Sequence, residues 1–225
     1  MQIEINGITV EVIKKNIKNM NLRIHEDLTV TLSVPINCTY REISMFLHSK
    51  STWIMKSLDK LKTKGVKLPL KYVTGEEFYL FGERYALEVI SSARYSLILD
   101  EDKAILHAPE NSDALHRERF INSFYREKLK EKIDYYLPKW EQITGLYSSS
   151  YQIKNMKTYW GTCNTRTRKI WINLQLAKKP VEALWYILLH ELAHIKVYNH
   201  GPAFISILDK HMPDWKEVKS MLNKG

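Results

Sequence analysis

Apolar and polar residues alternate at the start of the chain, over residues 3–5 and again over 8–12, with Asn6-Gly7 between the two runs. A period of two predicts half-buried strands, and Asn-Gly between them predicts a tight hairpin, since both turn positions then take positive φ. Residues 22–24 and 28–32 predict two further strands, turning at Glu26-Asp27. The period then changes. Thr39 with Glu42 three residues on is a capping-box signature, and Ile43, Phe46, Leu47, Trp53, Ile54, Leu58 and Leu61 follow at helical spacing. Residues 65–70, with Lys67 and Pro69, read as a connector.

The rhythm then starts again. Residues 78–81, 85–90, 95–99 and 104–107 are strand-like, and a helix from about Asp113 carries Phe120, Ile121, Phe124, Ile133 and Leu137. Laying residues 21–47 over 95–121 without a gap pairs Ile24 with Ile98, Leu32 with Leu106, Pro35 with Pro109 and Phe46 with Phe120. A duplicated strand-strand-Pro-helix unit and two independent meanders both give such an overlay. Pro138 and Gly145 interrupt the helical pattern and mark a boundary before the last third. There, residues 151–158 and 169–174 predict two paired strands around the polar loop from Trp160 to Arg168. Pro180 suits the first turn of a helix with Val181, Leu184, Trp185, Leu188, Leu192 and Ile195 on its core-facing stripe, and apolar residues on most of its other sides predict a buried helix. Pro202 opens a short helix with Phe204, Ile207 and Leu208, and Pro213-Asp214-Trp215 begins a last one ending near Leu222. The whole reads as an α+β protein: a strand-rich region with one helix over residues 1–110, and a second domain over 111–225 with its motifs in 151–222.

Composition narrows the class. With 225 residues, 44% apolar and 26% charged, the chain can bury a real core, which excludes disorder as its main state. Two cysteines, Cys38 and Cys163, make neither a disulfide framework nor a close zinc-ribbon pair. No apolar run reaches the roughly 18 to 20 residues of a membrane span, and the first residues lack a basic head before an apolar run. A cytoplasmic location with no membrane partner is expected. The formal charge of +9 is concentrated towards the end: from residue 150 on there are 12 Lys and Arg against 5 acidic residues. Such a field serves solubility and also favours an acidic or nucleic-acid partner. Arg166, Arg168 and Lys169, with Lys154, Lys157, Lys178 and Lys179 nearby and Trp160 and Trp171 among them, would be the surface of contact.

The chemistry is concentrated in His190-Glu191-Leu192-Ala193-His194. Residues i and i+4 of a helix share one face, so two imidazoles reach one ion at about 2.0 to 2.1 Å, while the Glu beside them stays free to act as a base. His200 follows His194 by six residues, ahead of Gly201-Pro202, a spacing that returns a third imidazole to the metal and leaves one position open. Metzincins place a glycine three residues after the second His; here Val197 stands there, so Asn199 or Gly201 in a left-handed conformation is expected to turn the chain. Tyr159, Tyr198, Arg166 and His211 are candidates for oxyanion or substrate contacts. Residues 169–174 are the candidate sheet edge for an extended peptide. Cys163 reads as a packed or turn-stabilising thiol, since a fourth protein ligand would close the open position.

Tyr159-Trp160-Gly161-Thr162-Cys163, Ile170-Trp171-Ile172-Asn173-Leu174, His190-Glu191-Leu192-Ala193-His194, Asn199-His200, Phe204 and Pro213-Asp214-Trp215 together resemble the YgjP-like metallopeptidases, relatives of the SprT-like and WLM zinc proteases. Thr162 replaces the family's usual Ser. The resemblance implies a zincin-like domain with one zinc per chain at His190, His194 and His200, Glu191 as catalytic carboxylate, and a peptide or protein substrate. The SprT-like relatives act on DNA-bound proteins, which implies a nucleic-acid contact by analogy. Two other classes share these residues: a zinc-containing, nucleic-acid-associated binding module, and a metal-dependent amidase acting on a non-protein substrate. Substrate identity and oligomeric state are not encoded in these patterns.

Overall fold

The computed structural model describes residues 1–25, 27–64 and 70–224. Glu26 of the second turn and residues 65–69 of the connector lie outside the described residues. The chain forms two compact units, Met1–Pro69 and Leu70–Gly225.

In the first unit, β1 (Gln2–Ile5) and β2 (Ile8–Lys15) form the hairpin that Asn6-Gly7 dictates, with φ of 50° and 75° at the two turn residues. Adding β3 (Asn21–Ile24) and β4 (Val30–Pro35) gives the order β1-β2-β4-β3, antiparallel except for the central parallel pair β2/β4. Helix α1 (Tyr40–Lys64) starts at a reciprocal cap: the Glu42 N–H donates to Thr39 Oγ1 at 3.3 Å and the Thr39 N–H to Glu42 Oε2 at 2.8 Å. Ile43, Leu47, Ile54 and Leu58 of α1 form one core with Val10, Leu32 and Val34. Trp53, which helical spacing assigns to the core face, is 50% exposed, because the position before Ile54 lies about 100° round the helix from the buried stripe.

The second unit opens with the same arrangement. Strands β5 (Glu77–Leu80), β6 (Glu83–Ser91), β7 (Ser96–Asp100) and β8 (Lys103–Ala108) have the order β5-β6-β8-β7 and again one parallel pair, β6/β8. Helix α2 (Ala114–Thr144) comes next. The strand-strand-Pro-helix rhythm is therefore a repeated ββββα arrangement. Leu32 is flanked by Val12 and Leu22, and Leu106 by Val89 and Leu97, which confirms that overlay in β4 and β8. The hairpin of the second unit is one residue shorter, so Ile24 corresponds to Leu99 rather than to Ile98.

Ile121, Tyr125, Leu129, Ile133 and Leu137 form the buried stripe of α2, which passes through Pro138 and stops at Gly145, where φ is 69°. Pro138 does not break the helix, because the packed stripe on its amino-terminal side holds it. The Tyr125 hydroxyl donates to the Tyr79 carbonyl at 2.9 Å, and the Phe81 N–H to the Ala177 carbonyl at 2.8 Å. Phe78, Leu87 and Leu106 share a core with Leu129, Ile170 and Leu184. The second strand group thus belongs with the carboxy-terminal helices, and the division falls after Pro69 rather than after residue 110.

A third sheet comprises β9 (Ser150–Lys154), β10 (Gly161–Asn164) and β11 (Lys169–Asn173), in the order β10-β11-β9. Part of the polar loop is itself the strand β10, and β9 stops at Lys154 and pairs with β11 in parallel. Strand β11 is central, so residues 169–174 offer no free edge; β10 does. A 3-10 turn (Leu174–Lys178) leads to α3 (Val181–Lys196), followed by α4 (Pro202–His211) and α5 (Trp215–Lys224). Among the described residues, no helix is long and apolar enough to cross a membrane.

Candidate active site

Helix α3 is apolar on nearly every side, with Leu184, Ile187, Leu188, Leu189, Leu192 and Ala193 all buried, and His190, Glu191 and His194 stand on its last two turns. The helix ends when Val197 turns to ordinary extended backbone at φ −131°, its N–H donating to the Ala193 carbonyl at 2.9 Å. No residue from 197 to 201 takes a positive φ, and Gly201 has φ −73°. The chain returns to α4 without a left-handed residue at Asn199 or Gly201, so the valine in place of the metzincin glycine is accommodated.

That return brings His200 onto the face of His190 and His194. The ligand atoms of the three imidazoles lie within 4.8 Å of one another, with His200 Nε2 3.1 Å from His190 Nε2. His194 Nδ1 lies 3.1 Å from the Val197 carbonyl, a contact in which the ring nitrogen donates, which leaves Nε2 with a lone pair. Phe204, 2% exposed, has its ring centroid 4.8 Å from each of the three imidazoles and packs against all of them. Burial, reinforced by the charges of His194, His200 and Lys219, pushes His190 down to about 3, and burial lowers His194 as well. Both are neutral at physiological pH, the form that binds a cation. Three imidazoles whose ligand atoms cluster this closely fit a divalent ion of the zinc, iron or cobalt kind.

Glu191 is 3% exposed, and burial pushes its carboxyl up to about 8. Its Oε2 has no hydrogen-bond partner among the described residues. A Cβ built on Gly161 of β10 would fall 2.6 Å from Glu191 Oε1 and 2.8 Å from both Glu191 Cγ and Ile187 Cγ2, so the carboxyl occupies the space that the glycine leaves. Asn173 sets the loop ahead of β10: its side-chain amide donates to the Met156 and Tyr159 carbonyls at 2.9 and 2.7 Å, and its Oδ1 accepts from the Met156 and Gln175 N–H groups. A cleft of about 190 Å³ adjoins Glu191 and His190, walled by Tyr159, Trp160 and Gly161 on one side and by Tyr186, Lys219 and Leu222 on the other.

Of the four expected contact residues, Tyr159 lines this cleft; Tyr198, Arg166 and His211 do not. Tyr198 is 84% exposed, Arg166 sits in the β10–β11 turn with its N–H on Asn164 Oδ1, and His211 closes α4. Cys163 is half-buried and its thiol is pushed up to about 11 by burial and then by the Glu191 charge, which keeps it protonated, and it is not among the clustered ligand atoms of the three histidines. Gly161, Asn173, Tyr186 and Lys219 were assigned no role by spacing. An inward-facing Asn ending an apolar strand was a readable signal for Asn173, whereas nothing in the sequence links Lys219 to His190.

The family described as "YgjP-like, metallopeptidase domain" matches residues 18–225. The chain belongs to that family and is a metal-dependent peptidase. No curated protein matches the sequence. Among solved structures, the metallopeptidase zymogen abylysin of Pyrococcus abyssi is 23% identical over 40% of this chain and 90% of its own, with a TM-score of 0.38. The zymogen jannalysin of Methanocaldococcus jannaschii is 24% identical over 41% of this chain and 94% of its own, also with a TM-score of 0.38. A likeness of that extent settles neither fold nor chemistry.

Proposed function

We propose that the protein is a zincin-like peptidase holding one zinc through His190, His194 and His200, with Glu191 as its general base. The observation that carries this reading is a buried carboxyl with an unpartnered oxygen, set in the helical turn between two of three clustered imidazoles. When bound, the ion would acidify water and polarise a carbonyl. Glu191 takes up the proton at its carboxylate and returns it to the leaving amine, and a cation beside it would draw its raised pKa back towards the neutral range. Gly161 keeps that carboxyl in place. β10 is an edge strand and its Gly161 packs on the same carboxyl, so an extended peptide paired on that edge by its main chain would pass near Glu191 with little demand on sequence. Tyr159, which lines the cleft, is the candidate donor to the developing oxyanion.

The test is metal content by mass spectrometry on tag-free protein, with hydrolysis of a peptide library measured in parallel. Wild type should hold about one zinc per chain, and His200→Ala should lose it. Glu191→Gln should keep the metal and lose about 10²- to 10⁴-fold in turnover. A folded wild type that takes up no zinc would sink the reading.

A second reading rests on Trp171, which faces away from the core on β11 with Lys154 and Lys169 stacked at 4.9 and 5.5 Å from its ring. Cations flanking an outward aromatic suit an unpaired nucleic acid. DNA affinity near physiological salt that falls on replacing Arg166 and Arg168 by Ala would support it, and absence of binding would end it.

A further inference from the structure

The cleft beside Glu191 is apolar on most of its surface, with Trp160, Tyr186, Ile187 and Leu222 among its lining residues. Lys219 is the one Lys or Arg among the described residues that line it, and it makes no ion pair with a described carboxylate. Its ammonium is 5.6 Å from the ring centroid of Trp215, which is itself fixed by donating from Nε1 to Asp209 Oδ1 at 2.7 Å and by stacking on Tyr186 at 6.2 Å. The lysine stem therefore leaves α5 over a rigid aromatic base, at the cleft that His190 and Glu191 also line. A volume of about 190 Å³ admits one amino-acid residue.

We propose that Lys219 sets specificity by selecting peptides that carry a carboxylate on the residue entering this cleft. The inference rests on the peptidase reading. A peptide whose scissile amide lies between the imidazoles and Glu191 must put one neighbouring residue here, where an apolar stem meets apolar walls and its far end meets the ammonium. The other carboxyl of the cleft, Glu191, lies at the floor against Gly161, so attraction for a substrate carboxylate is confined to the α5 side. A Lys or Arg side chain would meet a like charge there and be disfavoured. The carboxylate has two sources, an acidic side chain or the end of a peptide chain.

The experiment uses full-length, zinc-loaded protein and short peptide hydroxamates, whose hydroxamate group ligates the metal. The residue beside that group is Glu, Gln or Lys with an amidated end, or Ala with a free or amidated end; affinities are read by calorimetry. In wild type, Glu should bind about fivefold tighter than Gln, with the margin shrinking as salt is raised, as for a solvent-screened pair. Lys219→Met should erase the margin while leaving the Gln probe unchanged, and Lys219→Glu should turn it towards the Lys probe. A margin confined to the free-ended Ala probe would assign the carboxylate to a chain terminus. Equal affinity of charged and amide probes in wild type, or a margin that survives Lys219→Met, overturns the inference. Failure of every probe to bind would overturn the peptidase reading itself, and the inference with it.

Discussion

Glu191 and Gly161 show how a single missing atom can shape a reactive group. With the Cβ of an alanine 2.6 Å from Oε1, Gly161→Ala must push the carboxyl aside, since the opposing contact at Ile187 is as tight. The expected result is a loss of about 10²-fold in turnover with zinc content unchanged, because the histidines are untouched; unaltered turnover would show that the carboxyl needs no fixed place. Burial of the same carboxyl gives a pH signature in protein stripped of metal by a chelator. Its pKa is about 8 folded against 4.5 ordinarily, so its contribution to stability is complete below 4.5 and is lost as pH rises through 8. His190 runs the other way: at about 3 folded against 6.5, its contribution is complete above 6.5 and lost as pH falls towards 3, and His194 shifts in the same direction. Between pH 6.5 and 8 Glu191 alone of the three has a slope, so the metal-free melting temperature should fall across that window and Glu191→Gln should flatten it. At this scale the sequence was legible where spacing encodes geometry, as for His190, Glu191 and His194 on one helix. Asn173, ending an apolar strand, left a partial signal, whereas the contacts of Gly161 and Lys219 left none, because their partners are brought near only by tertiary packing.

Local signals translated into elements wherever backbone chemistry leaves one good solution. Asn6-Gly7 gave its hairpin and Thr39-Glu42 its reciprocal cap. The sequence misled where packing overrode local preference. Thr162, Cys163 and Asn164 carry no strand signal, and they form one because β11 offers them a ladder. Pro138 reads as a breaker, yet lies inside a helix held by Leu129, Ile133 and Leu137. The strain at that proline should be measurable: Pro138→Ala restores a donor for the Asp134 carbonyl and removes a ring clash, and should stabilise the protein by about 2 kcal/mol after the entropy gained by the unfolded chain is discounted. A higher denaturation midpoint with unchanged slope is the expected readout. Truncation of the stripe itself, as in Leu129→Ala at 0% exposure, should cost about 2–5 kcal/mol by opening a cavity.

The whole molecule divides at the connector that Lys67 and Pro69 mark rather than at residue 110, because two successive ββββα groups look alike in sequence but differ in the chain beyond their helix. In the second, α2 leads into a third sheet and three more helices, and all of these share one core, while the core of the first unit is made only of its own residues. The three histidines, Glu191, Gly161 and the cleft all lie between Leu70 and Gly225, as do the groups that position them: Asn173, Phe204 and Trp215. That segment has the size of an ordinary single domain, whereas a unit of the length of Met1–Pro69 is near the lower limit at which burial offsets chain entropy. A fragment beginning at Leu70 should therefore fold cooperatively by itself, hold about one zinc per chain and retain the near-ultraviolet dichroism of its packed aromatic residues. The isolated first unit should be marginal, with a low and broad unfolding transition. If the longer fragment binds zinc only as a fluctuating, ANS-binding state, its core is not self-sufficient and the site depends on the first unit; if it folds and binds, that unit is free to serve something other than the assembly of the metal centre.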